Sequence, residues 1–191
     1  GPDGVSVVAD HWGEVFRRLG LAVRTVAGAG RADRLLPGLA MDAAPGPELA
    51  GALAAALDGA DLVVVTGGAS VGEKDFAKAM FAPCNLELIF SKVSIKPGKP
   101  VWLGRAQGRL VLGLPGNPTS ALVTARLFLA PLLCGLTGRN PAEAAGWRPL
   151  PLGHALEPTG ERETFSRGYV ERGAVHLFGH QDSSAQKVLA Q

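Results

Sequence analysis

Apolar and polar positions alternate in blocks along the first two thirds of the chain. Val5 to Ala9 reads as a short strand, His11 to Leu19 as a helix closed by Gly20, and Leu21 to Val26 as a second strand. Gly28 to Pro47 is rich in Gly, Pro, Ala and Arg and predicts a loop or insertion. Glu48 to Leu57 is an alanine-rich helical stretch that stops near Gly59. Asp61 to Thr66 follows as an almost uninterrupted apolar run, the pattern of a central parallel strand covered on both faces. Phe76 to Phe81 predicts a short helix. Leu86 to Ile95 predicts a strand with Ile89, Val93 and Ile95 on one face, and Leu110 to Leu114 another. Thr119 to Leu136 is a long apolar helix in which Pro131 predicts a kink.

Strands separated by helices imply right-handed crossovers and an α/β domain of three layers around a mostly parallel sheet. Past Arg139 the pattern changes. Prolines at 141, 149, 151 and 158 and short β-leaning pieces at Glu163 to Val170 and Ala174 to Phe178 predict a small β subdomain. The expected division is 1–139 for the α/β domain and 140–191 for the β subdomain.

Three stretches carry chemistry. The strand ending at Thr66 runs into Gly67, Gly68, Ala69, Ser70, Val71 and Gly72, then Glu73, Lys74 and Asp75. A glycine-rich turn at the carboxyl end of a parallel strand exposes backbone N–H groups that cradle phosphate. Thr66 and Ser70 add hydroxyl donors, and Glu73 and Asp75 suit a divalent cation held against the phosphate. The same residues also fit a plain strand-to-helix turn capped by Asp75. In the second stretch, SKVSIKPGKP, period-two alternation places Lys92, Ser94 and Lys96 on one strand face, with Lys92 and Lys96 about 13 Å apart. Lys99 follows just beyond Pro97-Gly98. An elongated anion suits this set, and so does a solvated edge strand. The third, LPGNPTSALV, offers Asn117 as N-cap, Pro118 at the first helical position and Ser120 in the first turn. Its free N–H groups suit an anion, and the same sequence fits an ordinary capped helix.

Composition narrows the classes. The 191 residues are 47% hydrophobic and 19% charged, which supports a packed core. A formal charge of +2 is too small to suggest nucleic-acid binding by bulk electrostatics, and it leaves room for a local basic site for a small anion. Cys84 and Cys134 lack metal or disulfide spacing and fit a reducing cytosol. No stretch reaches about 18 continuous apolar residues, so no membrane span is expected. The start, GPDGVSVVAD, lacks an initiator Met and the character of a signal peptide, and reads as a fragment boundary. His11, His154, His176 and His180, and Trp12, Trp102 and Trp147, show no site spacing.

TGGASVGEKDF, KVSIKPGKP and GLPGNPTSA, in this order and at this separation, resemble the molybdenum insertase family of MoeA and gephyrin. The resemblance is strong from Asp61 to Arg139. It extends weakly through ERETFSRGYV and GHQDSSAQKVLAQ, which look like the family's C-terminal β subdomain. It implies a MogA-like α/β domain, adenylylated molybdopterin as substrate, Mg²⁺ as cofactor, molybdate as second substrate and AMP as product. On this resemblance Asp75, Lys92 and Lys96 are catalytic, and Asp75 with Glu73 holds the metal. Thr66, Gly67, Gly68, Ser70, Gly72, Pro115, Gly116, Asn117, Pro118, Lys99 and Ser120 bind the pterin phosphate, nucleotide or molybdate. Arg162 or Arg167, with Ser183 or Ser184, joins the molybdate site from the tail.

The resemblance further implies a cytoplasmic homodimer without nucleic-acid or membrane partners. Alternatives of the same ancestry are a non-catalytic pterin-binding or scaffold module of the gephyrin type, and the pathway's adenylyltransferase. SVGEKDF and KPGKP argue against the latter. The family's acidic TGDE-like loop has no match in this sequence, and neither does the stretch from Arg31 to Pro47.

Overall fold

The computed structural model describes residues 4–27, 32–35, 47–67, 76–157, 160–179 and 181. Helix α1 spans Gly4–Arg18. The strand expected at Val5 to Ala9 is therefore the first half of this helix. Val5, Val8, Trp12 and Phe16 recur at helical spacing, and Trp12 and Phe16 pack against the core. The helix ends in a Schellman pattern: Gly20 has φ 81°, its N–H bonds the Arg17 carbonyl, and the Leu21 N–H bonds that of Phe16. Beyond it only Val26–Ala27 (β1) is strand, pairing in parallel with Arg34–Leu35 (β2). The strand expected over Leu21 to Val26 is thus reduced to its end.

Helix α2 spans Pro47–Asp58 and buries Leu49, Ala52, Leu53 and Leu57, an i, i+3, i+4, i+8 stripe. Strand β3 (Leu62–Thr66) and helix α3 (Phe76–Phe81) follow as expected. Then come β4 (Glu87–Ser91), β5 (Ile95–Lys96), β6 (Trp102–Ala106) and β7 (Arg109–Leu114). The central sheet has the order β3-β7-β6-β4. Its β3–β7 pairing is parallel, and its β7–β6 and β6–β4 pairings are antiparallel. The expectation of a mostly parallel sheet is met at one pairing of three, although β3, β7 and β4 all point the same way.

The reason lies in β6, which the hydrophobic pattern did not mark. Gln107 and Gly108, with φ 49° and 77°, form a two-residue hairpin turn that forces β6 to run back against β7.

Alternate strand residues feed two cores. Val63, Val65, Trp102, Ala106 and Val111 meet α2 and α3, with Phe81 and Cys84, on one face. Leu62, Val64, Leu103, Leu112 and Leu114 meet α1 and the helix over Pro118–Leu136 on the other.

That long helix is built from α4 (Pro118–Thr124), a π turn (Ala125–Leu129) and α5 (Ala130–Leu136). Pro131 has no N–H to give, and one step before it the Ala130 N–H reaches back to the Ala125 carbonyl in an i→i−5 bond. The expected kink is realised as this π turn. With 19 residues and a mean hydropathy of 1.6, the helix passes the length and composition test for a membrane span. Thr119, Ser120, Ala121, Thr124 and Leu129 are buried within the protein, and the rest of the helix is half-buried or exposed.

In the tail, β8 (Glu163–Thr164) pairs in parallel with β5. Strands β9 (Gly168–Glu171) and β10 (Ala174–Leu177) form a hairpin turned by Arg172 and Gly173, both at positive φ. Leu152 bridges to Val175 beside it.

Candidate functional site at one edge of the sheet

Register fixes what lies together. Val65 pairs with Gly113, Gly113 with Trp102, and Trp102 with Ser91, so these four residues form a row across all four strands. One step beyond that row the chain leaves β3 at Thr66 and Gly67, β7 at Leu114 and Pro115, and β4 at Lys92. The three stretches singled out in the sequence therefore emerge from the same edge. At about 4.8 Å per strand, the exits of β3 and β4 are about 14 Å apart, with that of β7 next to β3. Gly113 is required in this row because the Trp102 indole lies against it, where a Cβ would collide with the ring.

Gly67 has φ 82°, and its N–H bonds the Leu114 carbonyl at 3.3 Å, tying the exits of β3 and β7 together. Gly68, Ser70, Gly72, Glu73 and Asp75 lie outside the described residues. Beyond β7, Pro115 is buried, and Gly116, Asn117 and Pro118 are half-buried. Asn117 stands at the N-cap position and Pro118 at the first helical turn, as expected, but the Asn117 side chain makes no capping hydrogen bond. Thr119 is 4% exposed, and its hydroxyl meets no hydrogen-bond partner among the described residues. Ser120 is buried, with its carbonyl accepting the Thr124 hydroxyl at 2.8 Å.

The expectation that Lys92, Ser94 and Lys96 share one strand face is overturned. Strand β4 stops at Ser91, and Lys92 turns left-handed with φ 63°. The Lys92 N–H bonds Val101 O at 3.1 Å, Val93 N–H bonds Lys99 O at 3.0 Å, and Ile95 N–H bonds Val93 O at 2.8 Å. These bonds fold the segment into a compact loop, which period-two alternation cannot anticipate. The Lys96–Pro97 peptide is cis, and Gly98 has φ 111°.

A cleft of about 480 Å³ opens in this loop, lined by Lys92, Val93, Ser94, Lys99, Glu161 and Arg162. Lys96 is exposed and outside that lining. The tail reaches the cleft because Glu163 N–H bonds Ser94 O and Phe165 N–H bonds Lys96 O, extending the β5–β8 pairing. Lys92, Lys99 and Arg162 make no ion pair within 4.0 Å among the described residues, and the lining holds these three cations against the one carboxylate of Glu161, so the cleft is positive on balance. Arg167 lies elsewhere, its backbone clamped by the Gln181 side chain, and Ser183 and Ser184 are outside the described residues. Val93, expected on the face away from the lysines, lines the cleft beside them, and Glu161 is a lining residue that the sequence reading did not single out. It enters through the β5–β8 pairing, for which two-residue strands leave no pattern. No group of three or more His, Cys, Asp or Glu is placed to hold a metal among the described residues.

Residues 45–134 match the family described as "Probable molybdopterin binding domain". The molybdopterin molybdenumtransferase of Haemophilus influenzae is 37% identical over 126 residues, covering 66% of this chain and 30% of that protein. The chain is similar to the molybdopterin molybdenumtransferases. The Synechococcus elongatus enzyme of that name is 38% identical over 137 residues, covering 70% of this chain and 33% of the relative. A solved MoeA protein from Pyrococcus horikosii superimposes with a TM-score of 0.59 at 25% identity, covering 88% of this chain and 37% of that one. The chain thus spans about a third of the length of these curated relatives. The matched residues 45–134 include all three stretches at the sheet edge, so the resemblance read from their sequence holds.

Proposed function

We propose that the chain binds adenylylated molybdopterin along this sheet edge and takes part in inserting molybdate with release of AMP. The single observation that carries the reading is that the three stretches leave one edge of one sheet. The glycine-rich stretch leaves β3, the N-terminus of α4 follows β7, and the cleft lined by Lys92, Lys99 and Arg162 lies toward β4. An elongated, multiply charged ligand matches a span of about 14 Å.

In this reading Thr66, Gly67, Gly68, Ser70 and Gly72, with Pro115 to Pro118 and Ser120, bind the phosphates and nucleotide. Lys92 and Lys99, with Arg162, hold an oxyanion such as molybdate by charge and hydrogen bonding. Lys96 acts from the loop rim on the anionic portion of the substrate. The bond broken is the phosphoanhydride: a water oxygen bonds to one of its phosphorus atoms, the water proton passes to solvent, and AMP is the leaving group. Mg²⁺ held by Asp75 and Glu73 belongs to the proposal through the family resemblance alone. A homodimer in the cytoplasm, and a domain boundary at 139/140, are part of the same proposal.

The test is AMP release from adenylylated molybdopterin, with Mg²⁺ and molybdate, by this chain and its Asp75→Ala variant. Release that requires molybdate and is lost in the variant supports catalysis. Binding of the adenylylated pterin without release supports a non-catalytic pterin-binding module. Absence of both binding and release would sink the proposal.

A further inference from the structure

Lys78, on α3, donates from Nζ to Ser91 Oγ at 2.8 Å. The same nitrogen stands 6.0 Å from the centroid of the Trp102 ring, which is wholly buried and pairs with Ser91 across β6 and β4. Ser91 is the last residue of β4, and Lys92 immediately turns left-handed into the cationic loop. Among the described residues strand β4 is the edge of the sheet, with β6 its one strand neighbour, and its register is already irregular between Leu88 and Phe90. A left-handed non-glycine residue at the end of such a strand persists only where its neighbours hold it. The backbone bonds from Lys92 and Val93 hold it from the loop side, and the Lys78 ammonium holds it from the helix side.

We propose that Lys78 is a positioning residue, which acts through Ser91 to keep Lys92 turned into the anion cleft. The inference rests on the reading of that cleft as the oxyanion site. Lys78 itself does not line the cleft. It sits on the helix that follows the glycine-rich stretch, and so couples the placement of α3 to that of the cationic loop.

The experiment compares the full chain with Lys78→Met, Lys78→Arg, Ser91→Ala and the Lys78→Met/Ser91→Ala double variant. Amide hydrogen exchange at Lys92 and Val93 is read beside exchange in β3 and β7. Lys78→Met and Ser91→Ala are each expected to speed exchange at Lys92 and Val93 at least tenfold, leaving β3 and β7 unchanged. The double variant should add nothing, and Lys78→Arg should retain slow exchange. Unchanged exchange at Lys92, additive effects, or acceleration spread across β3 and β7 would overturn the proposal. Exchange is read whether or not the chain turns over. Absence of AMP release by the unmodified chain therefore counts against the proposed function and not against this inference. Where AMP is released, Lys78→Met should raise the KM for molybdate about tenfold, and Lys78→Arg should restore it.

Discussion

Gly98, in the turn of the cationic loop, lies directly against the Thr124 side chain in the helix that follows β7; a Cβ at position 98 would overlap Thr124 Cγ2. Its φ of 111° is also one that L side chains rarely adopt. Two of the three edge stretches are therefore locked by this contact, and Thr124 itself is fully buried, with its hydroxyl bonded to Ser120 O. Gly98→Ala is expected to destabilise the chain by about 2–4 kcal/mol and to lower Tm by roughly 5–10 °C. Thr124→Ser removes the clashing methyl, so Gly98→Ala should cost measurably less in that background. Thermal melts of the four proteins check this. An identical cost in both backgrounds would assign the loss to backbone strain and the Ile95 side chain, which a Cβ would approach to 3.2 Å, and not to Thr124.

The net positive charge of the cleft makes a second prediction. Lys99→Gln and Arg162→Gln should each weaken binding of molybdate roughly 10- to 100-fold, the scale of a lost hydrogen bond to a charged group. Both side chains line the same space, so Tm should stay nearly constant. Lys96→Gln should have a smaller effect, because Lys96 lies outside the lining. Titration calorimetry with molybdate at two ionic strengths reads all three. Weakening by Lys96→Gln as large as by Lys99→Gln would mean that the cleft is not the anion site.

What was legible in the sequence followed from strong periodicity and from turn chemistry. The Leu49, Leu53, Leu57 stripe, the apolar run of Leu62 to Val65 and the Asn117-Pro118 helix start each specify one local structure, and each is present. Three things were hidden. Val5 to Ala9 is apolar enough for a strand, and only the continuation through Trp12 and Phe16 selects a helix. Strand β6 depended on recognising Gln107-Gly108 as a hairpin turn, and its alternation is blurred by Gly104. The path of Lys92 to Lys99 is set by backbone bonds to Val101 and by the tail, which are non-local. The sequence reading set Lys92 with Lys96 and assigned Lys99 with Arg162 or Arg167 to a separate anion, whereas the fold gathers Lys92, Lys99 and Arg162 around one cleft and leaves Lys96 and Arg167 outside it.

Cys84 is 1% exposed, and burial raises its thiol pKa above the ordinary 9.0. Both effects suppress thiolate attack. Cys84 is expected to resist a thiol reagent at neutral pH in the folded chain and to react once the chain is unfolded in denaturant. Mass mapping after timed alkylation distinguishes it from Cys134, which is half-buried and should react first. Early modification of Cys84 would mean that the core of α2, α3 and β6 opens readily.

Asp33, just before β2, is tied to Thr25, just before β1. Its carboxylate accepts the Thr25 backbone N–H at 2.7 Å and the Thr25 hydroxyl at 2.8 Å, and its own N–H donates back to that hydroxyl at 3.0 Å. The bond from the Thr25 N–H, then that from its hydroxyl, holds the Asp33 carboxyl below its ordinary 3.8, with Arg17 and Arg24 adding in the same direction. The Arg17 contact at 3.7 Å is exposed on both sides and contributes little by itself. A carboxyl whose pKa is lower in the folded chain stabilises it above the unfolded value and loses that contribution as pH falls through the folded value. Asp33→Asn should therefore be less stable than the parent at pH 7, with the gap closing as pH drops below about 3.8. Urea midpoints of both proteins between pH 2.5 and 7, as chosen assay conditions, check the sign. A gap that stays constant over that range would show that the Thr25 bonds do not depend on the charge.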